Sequence, residues 1–189
     1  MSRIVGGVAG GRRITVPAGR GTRPTSDRTR EALFSALESL TDLDGAHVLD
    51  LYAGSGAVGL EAASRGAAHV FAVESDRNAL RTLRSNAGEL GLPGVVVVPG
   101  AVERIAAAAP PATALPPYDV VFADPPYALD AGQLTGVLAG LDRNGWLADG
   151  AVVVVERSTR DPEWVWDAPL VALRARRYGE ATLWYGRRS

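Results

Sequence analysis

The sequence predicts an α/β protein with a mostly parallel seven-stranded sheet, an antiparallel C-terminal hairpin and a small N-terminal β-hairpin. From residue 47 onward, short Val-rich apolar runs alternate with helical segments, which is typical of a parallel, doubly wound sheet. The runs are continuous rather than alternating, as in strands buried on both faces. A glycine-rich turn follows the first run, and open sheets of this class bind ligands at such turns.

The first 24 residues are predicted to form an extension in front of the main domain. Residues 3–8 and 12–16 are short apolar runs on either side of Ala9-Gly10-Gly11. Glycine favours the tight turn of a hairpin, so these runs are expected to pair as antiparallel strands. Residues 17–24, which are rich in Gly, Pro and Arg, are predicted to be a loop.

Residues 25–189 are predicted to form the main domain. It begins with a helix that Thr25, Ser26 or Asp27 is expected to cap. Buried strands are expected at 47–53, 69–74, 95–98, 119–124 and 151–156, with helices at 59–65, 77–90, 102–109 and 131–141. Residues 170–177 and 181–185 are expected to form the closing antiparallel hairpin.

The composition excludes several classes of protein. The 189 residues contain no Cys and two His, which excludes a disulfide framework, a Cys nucleophile and a His-rich metal cluster. No apolar run reaches the roughly 18 residues that a membrane span needs. The N-terminus lacks the apolar core of a signal peptide. We therefore expect a cytoplasmic protein, a monomer, with neither a metal nor a membrane partner.

Positive charge is concentrated at the two ends of the chain. Residues 1–30 contain seven Arg and one acid, and residues 170–189 contain five Arg and one acid. The middle of the chain contains eight Arg and nineteen acids. This asymmetry favours an anionic partner that contacts the ends. The first candidates for contact with nucleic acid are Arg12, Arg13, Arg20, Arg23, Arg28 and Arg30, and the second are Arg174, Arg176 and Arg177.

The glycine-rich turn carries the first chemical motif. Gly54, Gly56 and Gly59 match the spacing of a dinucleotide-binding loop, and Glu74 follows Gly54 by twenty residues. A carboxylate such as Asp50 would repel a pyrophosphate near this loop but would favour a cationic ligand. Glu74 ends the next strand, where a carboxylate can accept hydrogen bonds from ribose hydroxyls.

The second motif is Asp124-Pro125-Pro126-Tyr127 at the end of the fourth long strand. Two prolines fix the backbone and withhold two N–H groups, so the loop presents acceptors only. These acceptors are the Asp124 carboxylate and the Pro125 carbonyl. Beside the ring of Tyr127, they suit a planar base that carries an amino group.

These motifs resemble those of S-adenosylmethionine-dependent methyltransferases that modify exocyclic amines. The segments Arg3–Gly7, Gly11–Arg13, Arg23–Phe34 and Arg177–Gly179 are similar to the RsmD type, which methylates N2 of a guanine in 16S rRNA. The similarity covers nearly the whole chain and implies the Rossmann-like fold of class I methyltransferases. It also implies 16S rRNA, or the small ribosomal subunit that contains it, as the partner.

The resemblance assigns roles to particular residues. Asp124, Pro125, Pro126 and Tyr127 would form the catalytic loop. Ala101 or Glu103 is expected to meet the adenine amino group, because this chain has no acid directly after the third strand. The complete set implied for S-adenosylmethionine is Asp50, Tyr52, Ala53, Gly54, Ser55, Gly56, Glu74, Ser75, Ala101 and Glu103.

Three other functions remain open at this point. An adenine-N6 DNA methyltransferase uses the same catalytic loop, but the chain has little room for a target-recognition insertion. A nicotinamide-dependent oxidoreductase fits the glycine spacing, but without Lys the chain cannot form a catalytic Tyr–Lys pair. A non-enzymatic RNA-binding factor would keep the basic ends and has no need of Asp124-Pro125-Pro126-Tyr127.

Overall fold

The computed structural model describes residues 2–16 and 26–189. The strands are β1 (Ser2–Arg3), β2 (Arg13–Ile14), β3 (His47–Leu51), β4 (His69–Glu74), β5 (Val95–Pro99), β6 (Tyr118–Ala123), β7 (Leu147–Ser158), β8 (Leu170–Tyr178) and β9 (Ala181–Arg188). The helices are α1 (Asp27–Glu38), α2 (Ala57–Ser64), α3 (Arg77–Leu90), α4 (Val102–Ala106) and α5 (Ala131–Arg143). The predicted 17–24 loop, with Arg20 and Arg23, lies outside the described residues.

The main sheet has seven strands in the order β5-β4-β3-β6-β7-β9-β8. Strands β3 to β7 are parallel, and β9 pairs antiparallel with both β7 and β8. This topology confirms the predicted fold class. The strand order reverses between β3 and β6, which leaves a crevice at the carboxyl ends of these strands where ligands bind in such folds.

The two faces of this sheet are buried under different helices. One face, called the first face, carries Val48, Val70, Val120 and Val152 and packs against α1, α2 and α3. The other, called the second face, carries Leu49, Phe71, Val121 and Val153 and packs against α4 and α5. Since successive residues of a strand point to opposite faces, burial of both faces requires the unbroken apolar runs seen in the sequence.

Several element boundaries differ from the prediction. The strand predicted at 151–156 begins earlier, at Leu147. The helix predicted at 102–109 ends at Ala106, shortly before Pro110 and Pro111. Helix α1 begins after Ser26, whose side chain accepts a hydrogen bond from the backbone N–H of Thr29, as expected for a capping serine.

The predicted N-terminal hairpin is correct in its pairing but wrong in its length. Only Ser2–Arg3 and Arg13–Ile14 pair as strands, and the residues between them turn onto α2. The N–H of Val8 donates to the Ser64 carbonyl at 2.8 Å, and that of Ala9 donates to Ser64 Oγ at 2.9 Å. These hydrogen bonds to α2 replace further pairing between β1 and β2. The predicted domain boundary falls at residues 24 and 25, outside the described residues.

The structure buries one of the arginines predicted to contact RNA. The side chain of Arg30 has no exposed surface, and its Nε lies 3.4 Å from Oε2 of the equally buried Glu61. A second nitrogen of Arg30 pairs with Asp27 at 2.9 Å. Glu61 also accepts from the backbone N–H groups of Val5 and Gly6, each at 2.7 Å. The prediction that Arg30 meets RNA is therefore wrong, because its guanidinium joins α1, α2 and the N-terminal segment inside the protein.

We expect Glu61→Gln to lower the free energy of unfolding by about 3–5 kcal/mol, because it removes the buried carboxylate that faces Arg30 and accepts from two backbone N–H groups. Urea denaturation measures this change. Glu31→Gln, on the exposed side of α1, is the matched control and is expected to change stability by less than about 0.5 kcal/mol. Equal effects of the two substitutions would contradict a structural role for the buried pair.

Candidate functional site

The turn from β3 into α2, residues 52–56, forms the floor of the crevice and is called the glycine loop. Tyr52, Gly54 and Gly56 have positive φ angles of 58°, 58° and 81°. A Cβ at Gly56 would lie 2.1 Å from a methyl carbon of Leu83, so only glycine fits there. A Cβ at Gly54 would meet no atom within 4 Å, so this glycine faces open space. The loop therefore packs on α3 at one glycine and leaves room for a ligand at the other.

Glu74, at the end of β4, holds the glycine loop in place. Its Oε2 accepts from the N–H of Gly54 at 2.7 Å, and its Oε1 accepts from Ser75 and Asp76 at 2.8 and 2.7 Å. In each of these hydrogen bonds the donor is a backbone N–H group. A ligand hydroxyl that binds Glu74 would therefore share this carboxylate with the loop.

Asp50 lies beneath the glycine loop near the end of β3. It is 1% exposed, and its Oδ2 accepts from the N–H of Gly59 in α2 at 2.8 Å. Burial, together with the charge of Glu74, raises the pKa of Asp50 to about 7, although the hydrogen bond from Gly59 opposes the rise. A nearby cation would stabilise the ionised form of Asp50, whereas an anion would oppose it.

The side chain of Tyr52 spans the crevice from β3 to the start of α4. Its hydroxyl donates to Oε1 of Glu103 at 2.9 Å. Burial and this hydrogen bond raise the pKa of Tyr52 above its ordinary value. Ala101 precedes α4 as its N-terminal cap, so Ala101 and Glu103 both lie at the carboxyl end of β5. The structure thus brings the predicted cofactor residues of three strands to one edge of the sheet.

Asp124-Pro125-Pro126-Tyr127 follows β6 at the same edge. Asp124 is half-buried, Pro125 is buried, and Tyr127 is 68% exposed. Arg157 at the end of β7 supports the loop by donating to the Leu129 carbonyl at 2.9 Å. The loop therefore presents a free aromatic surface next to a carboxylate that is held against the sheet.

Burial and neighbouring charges shift the pKa of the Asp124 carboxyl. Burial raises the pKa of this carboxyl well above its usual range, and the charges of Glu156 and Asp50 raise it further. The guanidinium of Arg157 lowers it in part. An aspartate with a strongly raised pKa in a crevice is typical of a functional site.

Three residues of the site were missed in the sequence. Asn86 is 1% exposed, and its Nδ2 donates to the carbonyls of Ser55 and Thr15 at 2.9 and 2.8 Å, which joins the glycine loop to the N-terminal segment. The only indication in the sequence was that Asn86 is a polar residue on the apolar face of a predicted helix. Glu156 and Arg157 gave no local signal, because they reach the site only through the pairing of β6 with β7.

The predicted arginines are distributed unevenly around the site. Arg12, Arg13 and Arg28 are exposed. Arg12 also donates to the carbonyls of Glu89 and Leu90 at the end of α3, at 2.8 Å to Leu90. At the far end of the sheet, exposed Arg176 and Arg177 line a groove of about 320 Å³ together with Trp184.

Two kinds of feature are absent from the described residues. In the part of the chain that the structure covers, no group of three or more His, Cys, Asp or Glu side chains is placed to hold a metal ion. Among the helices of residues 2–16 and 26–189, none has the length and apolar character needed to cross a membrane.

Comparison with known proteins identifies the family. The family described as "Conserved hypothetical protein 95" matches residues 2–187. Ribosomal RNA small subunit methyltransferase D of Escherichia coli K12 is 41% identical over 155 residues, which are 82% of this chain and 73% of that protein. The chain belongs to the RsmD-type family of methyltransferases.

Other members of the RsmD-type family agree in sequence and in fold. Ribosomal RNA small subunit methyltransferase D of Haemophilus influenzae is 32% identical over 160 residues, covering 85% of this chain and 80% of the relative. The solved structure of yhhF, a methyltransferase candidate from Escherichia coli, superposes with a TM-score of 0.84 at 35% identity. That superposition covers 99% of this chain and 97% of the other.

Proposed function

We propose that this protein transfers a methyl group from S-adenosylmethionine to the exocyclic N2 amine of a specific guanine in 16S rRNA, in the cytoplasm. The observation that carries the proposal is the position of Asp124-Pro125-Pro126-Tyr127 beside the glycine loop, at the switch point of the sheet. Family membership and the names of the relatives support methylation of small-subunit rRNA.

The residues at the crevice fit S-adenosylmethionine. Gly54 leaves open space above the loop, and the acids around it are Asp50, Glu74 and Glu103. The raised pKa of Asp50 favours a cationic ligand, because a positive charge nearby would offset the cost of ionising a buried carboxyl. Gly54, Gly56 and Glu74 would hold the backbone and ribose, and Ala101 or Glu103 would meet the adenine. Tyr52, Ala53, Ser55 and Ser75 would complete the contacts with the cofactor.

The catalytic loop supplies geometry for the transfer. Bound S-adenosylmethionine provides a methyl group on a positively charged sulfur, which is already activated for displacement. Asp124 and the Pro125 carbonyl accept the two N–H bonds of the amine and direct its lone pair at the methyl carbon. Tyr127 stacks on a base that has been splayed out of its helix. The amine nitrogen would take the methyl group from the sulfur of the cofactor, and Asp124 would accept the proton that the nitrogen loses. Positioning of this kind can contribute about 7–11 kcal/mol.

The substrate is tested by transfer of labelled methyl from S-adenosylmethionine into small ribosomal subunits that lack modification. Mass spectrometry of the nucleosides is expected to find N2-methylguanosine. N6-methyladenine formed instead in a DNA substrate would replace the proposal with the DNA methyltransferase. Intact cofactor binding without transfer to either nucleic acid would overturn the proposed substrate class.

RNA binding is proposed to involve the exposed arginines of the N-terminal part. We expect the double variant Arg13→Ala, Arg28→Ala to weaken RNA binding and to flatten the plot of log affinity against log salt by about 0.7–0.9 per lost phosphate contact. The matched control is Arg104→Ala, Arg143→Ala, which removes the same charge from exposed positions of α4 and α5. Filter binding at several salt concentrations measures both slopes, and equal slopes would place the RNA surface elsewhere.

A further inference from the structure

Glu156 occupies the position next to the catalytic residue Asp124 at the carboxyl ends of two neighbouring strands. Phe122 pairs with Val154 and Ala123 with Val155 across β6 and β7. The next residues along these parallel strands are Asp124 and Glu156. Neighbouring strands lie about 4.8 Å apart, so the two acids occupy adjacent positions at the carboxyl edge.

Both acids also share the first face of the sheet. Side chains two apart on a strand point to the same side, which places Glu156 with Val154. Asp124 directly follows β6, and its N–H still donates to the Leu51 carbonyl of β3 at 3.5 Å, so the alternation extends from Phe122 to Asp124. Phe122 and Val154 are buried in the core of the first face. The charge of Glu156 is the largest charge contribution to the raised pKa of Asp124, in agreement with this closeness.

A second acceptor beside Asp124 distinguishes guanine from the other bases that carry a methylatable amine. In guanine the N2 amine lies next to N1–H, so both groups are donors. In adenine the N6 amine lies next to N1 without a hydrogen, which is an acceptor. An ionised carboxylate accepts only, so it would bind N1–H of guanine and repel N1 of adenine.

We propose that Glu156 selects guanine by accepting a hydrogen bond from N1–H while Asp124 accepts from the N2 amine. This inference rests on the proposed function and names the residue that gives it base specificity. A carboxylate has about four lone-pair positions, so a bond between Glu156 and another group of the chain leaves acceptors for the base.

The test compares guanine with 2-aminopurine, which keeps the 2-amine but has no hydrogen on N1. Small subunits are reconstituted with either base at the methylated position, and kcat/KM for methyl transfer is measured for each. We expect Glu156→Gln to lower the preference for guanine over 2-aminopurine by about tenfold or more, because the Gln amide can donate to an unprotonated N1. Glu156→Ala is expected to lower the same ratio by loss of transfer to guanine. Glu163→Gln, at an exposed position, is the matched control.

Each outcome separates this inference from the proposed function. Binding of S-adenosylmethionine by Glu156→Gln and Glu156→Ala checks that the variants are folded. A guanine preference unchanged in both folded variants would overturn the role of Glu156 and leave the guanine-N2 activity in place. Absence of transfer to guanine by the unaltered protein would overturn the proposed function itself.

Discussion

Asp124→Asn is expected to lower the rate of methyl transfer by about 100-fold or more while S-adenosylmethionine still binds. The Asn amide has one acceptor oxygen in place of two and cannot take the proton that the amine loses. Pro125 and Pro126 keep the loop rigid in the variant, so the loss falls on the acceptor rather than on the backbone. Single-turnover transfer and equilibrium cofactor binding, measured side by side, test this expectation. Transfer within tenfold of the unaltered protein would remove Asp124 from the role of acceptor.

The same residue predicts how transfer depends on pH. Asp124 can take the proton that the amine loses only when it is ionised. Burial together with Glu156 and Asp50 raises its pKa well above the ordinary range. Transfer is therefore expected to decline as the pH falls through this raised pKa, at a higher pH than for an exposed aspartate. Asp124→Asn is expected to lose this decline in rate at low pH, whereas Glu163→Gln is expected to keep it. If the pH dependence of Asp124→Asn matched that of the unaltered protein, the decline at low pH would belong to another group.

Asp50→Asn is expected to stabilise the ligand-free protein above pH 7 and to weaken its binding of S-adenosylmethionine. The pKa of Asp50 is about 7 in the folded protein against an ordinary value of 3.8, so the folded state binds this proton more tightly than the unfolded state does. Stability from this group is complete only below a pH of about 3.8 and is lost progressively as the pH rises from there through about 7. The difference between these two pKa values corresponds to a loss of about 4 kcal/mol in the free energy of unfolding, which the neutral Asn would recover at pH 8.

Urea denaturation at pH 5 and pH 8 measures this gain. The two proteins are expected to differ by about 1–2 kcal/mol at pH 5, where Asp50 is protonated in the folded state but already ionised in the unfolded state, and by about 4 kcal/mol at pH 8. The Asn side-chain oxygen can still accept from the N–H of Gly59, so the start of α2 is expected to remain in place. Asp119→Asn is a separate control for loss of a carboxylate, since Asp119 accepts from the N–H of His47 at the opposite end of β3. A variant less stable than the unaltered protein at both pH values would contradict the raised pKa.

Local patterns in the sequence were enough to predict the order of strands and helices along the main domain and the motifs at the ends of the strands. They were enough because burial on both faces requires continuous apolar runs, and because parallel strands bring their carboxyl ends to one edge. The residues of the glycine loop, Glu74 and Asp124 were therefore predictable as one site. The glycine loop follows β3, Glu74 is the last residue of β4, and Asp124 follows β6.

The tertiary structure decided which polar side chains face each other. Arg30 resembles any arginine of a basic segment, and only the packing of α1 against α2 places it beside Glu61 with no exposed surface. Asn86 meets Ser55 and Thr15 across sequence separations of 31 and 71 residues. Glu156 reaches Asp124 through strand register. Burial and register depend on contacts between distant segments, so no local pattern in the sequence can encode them.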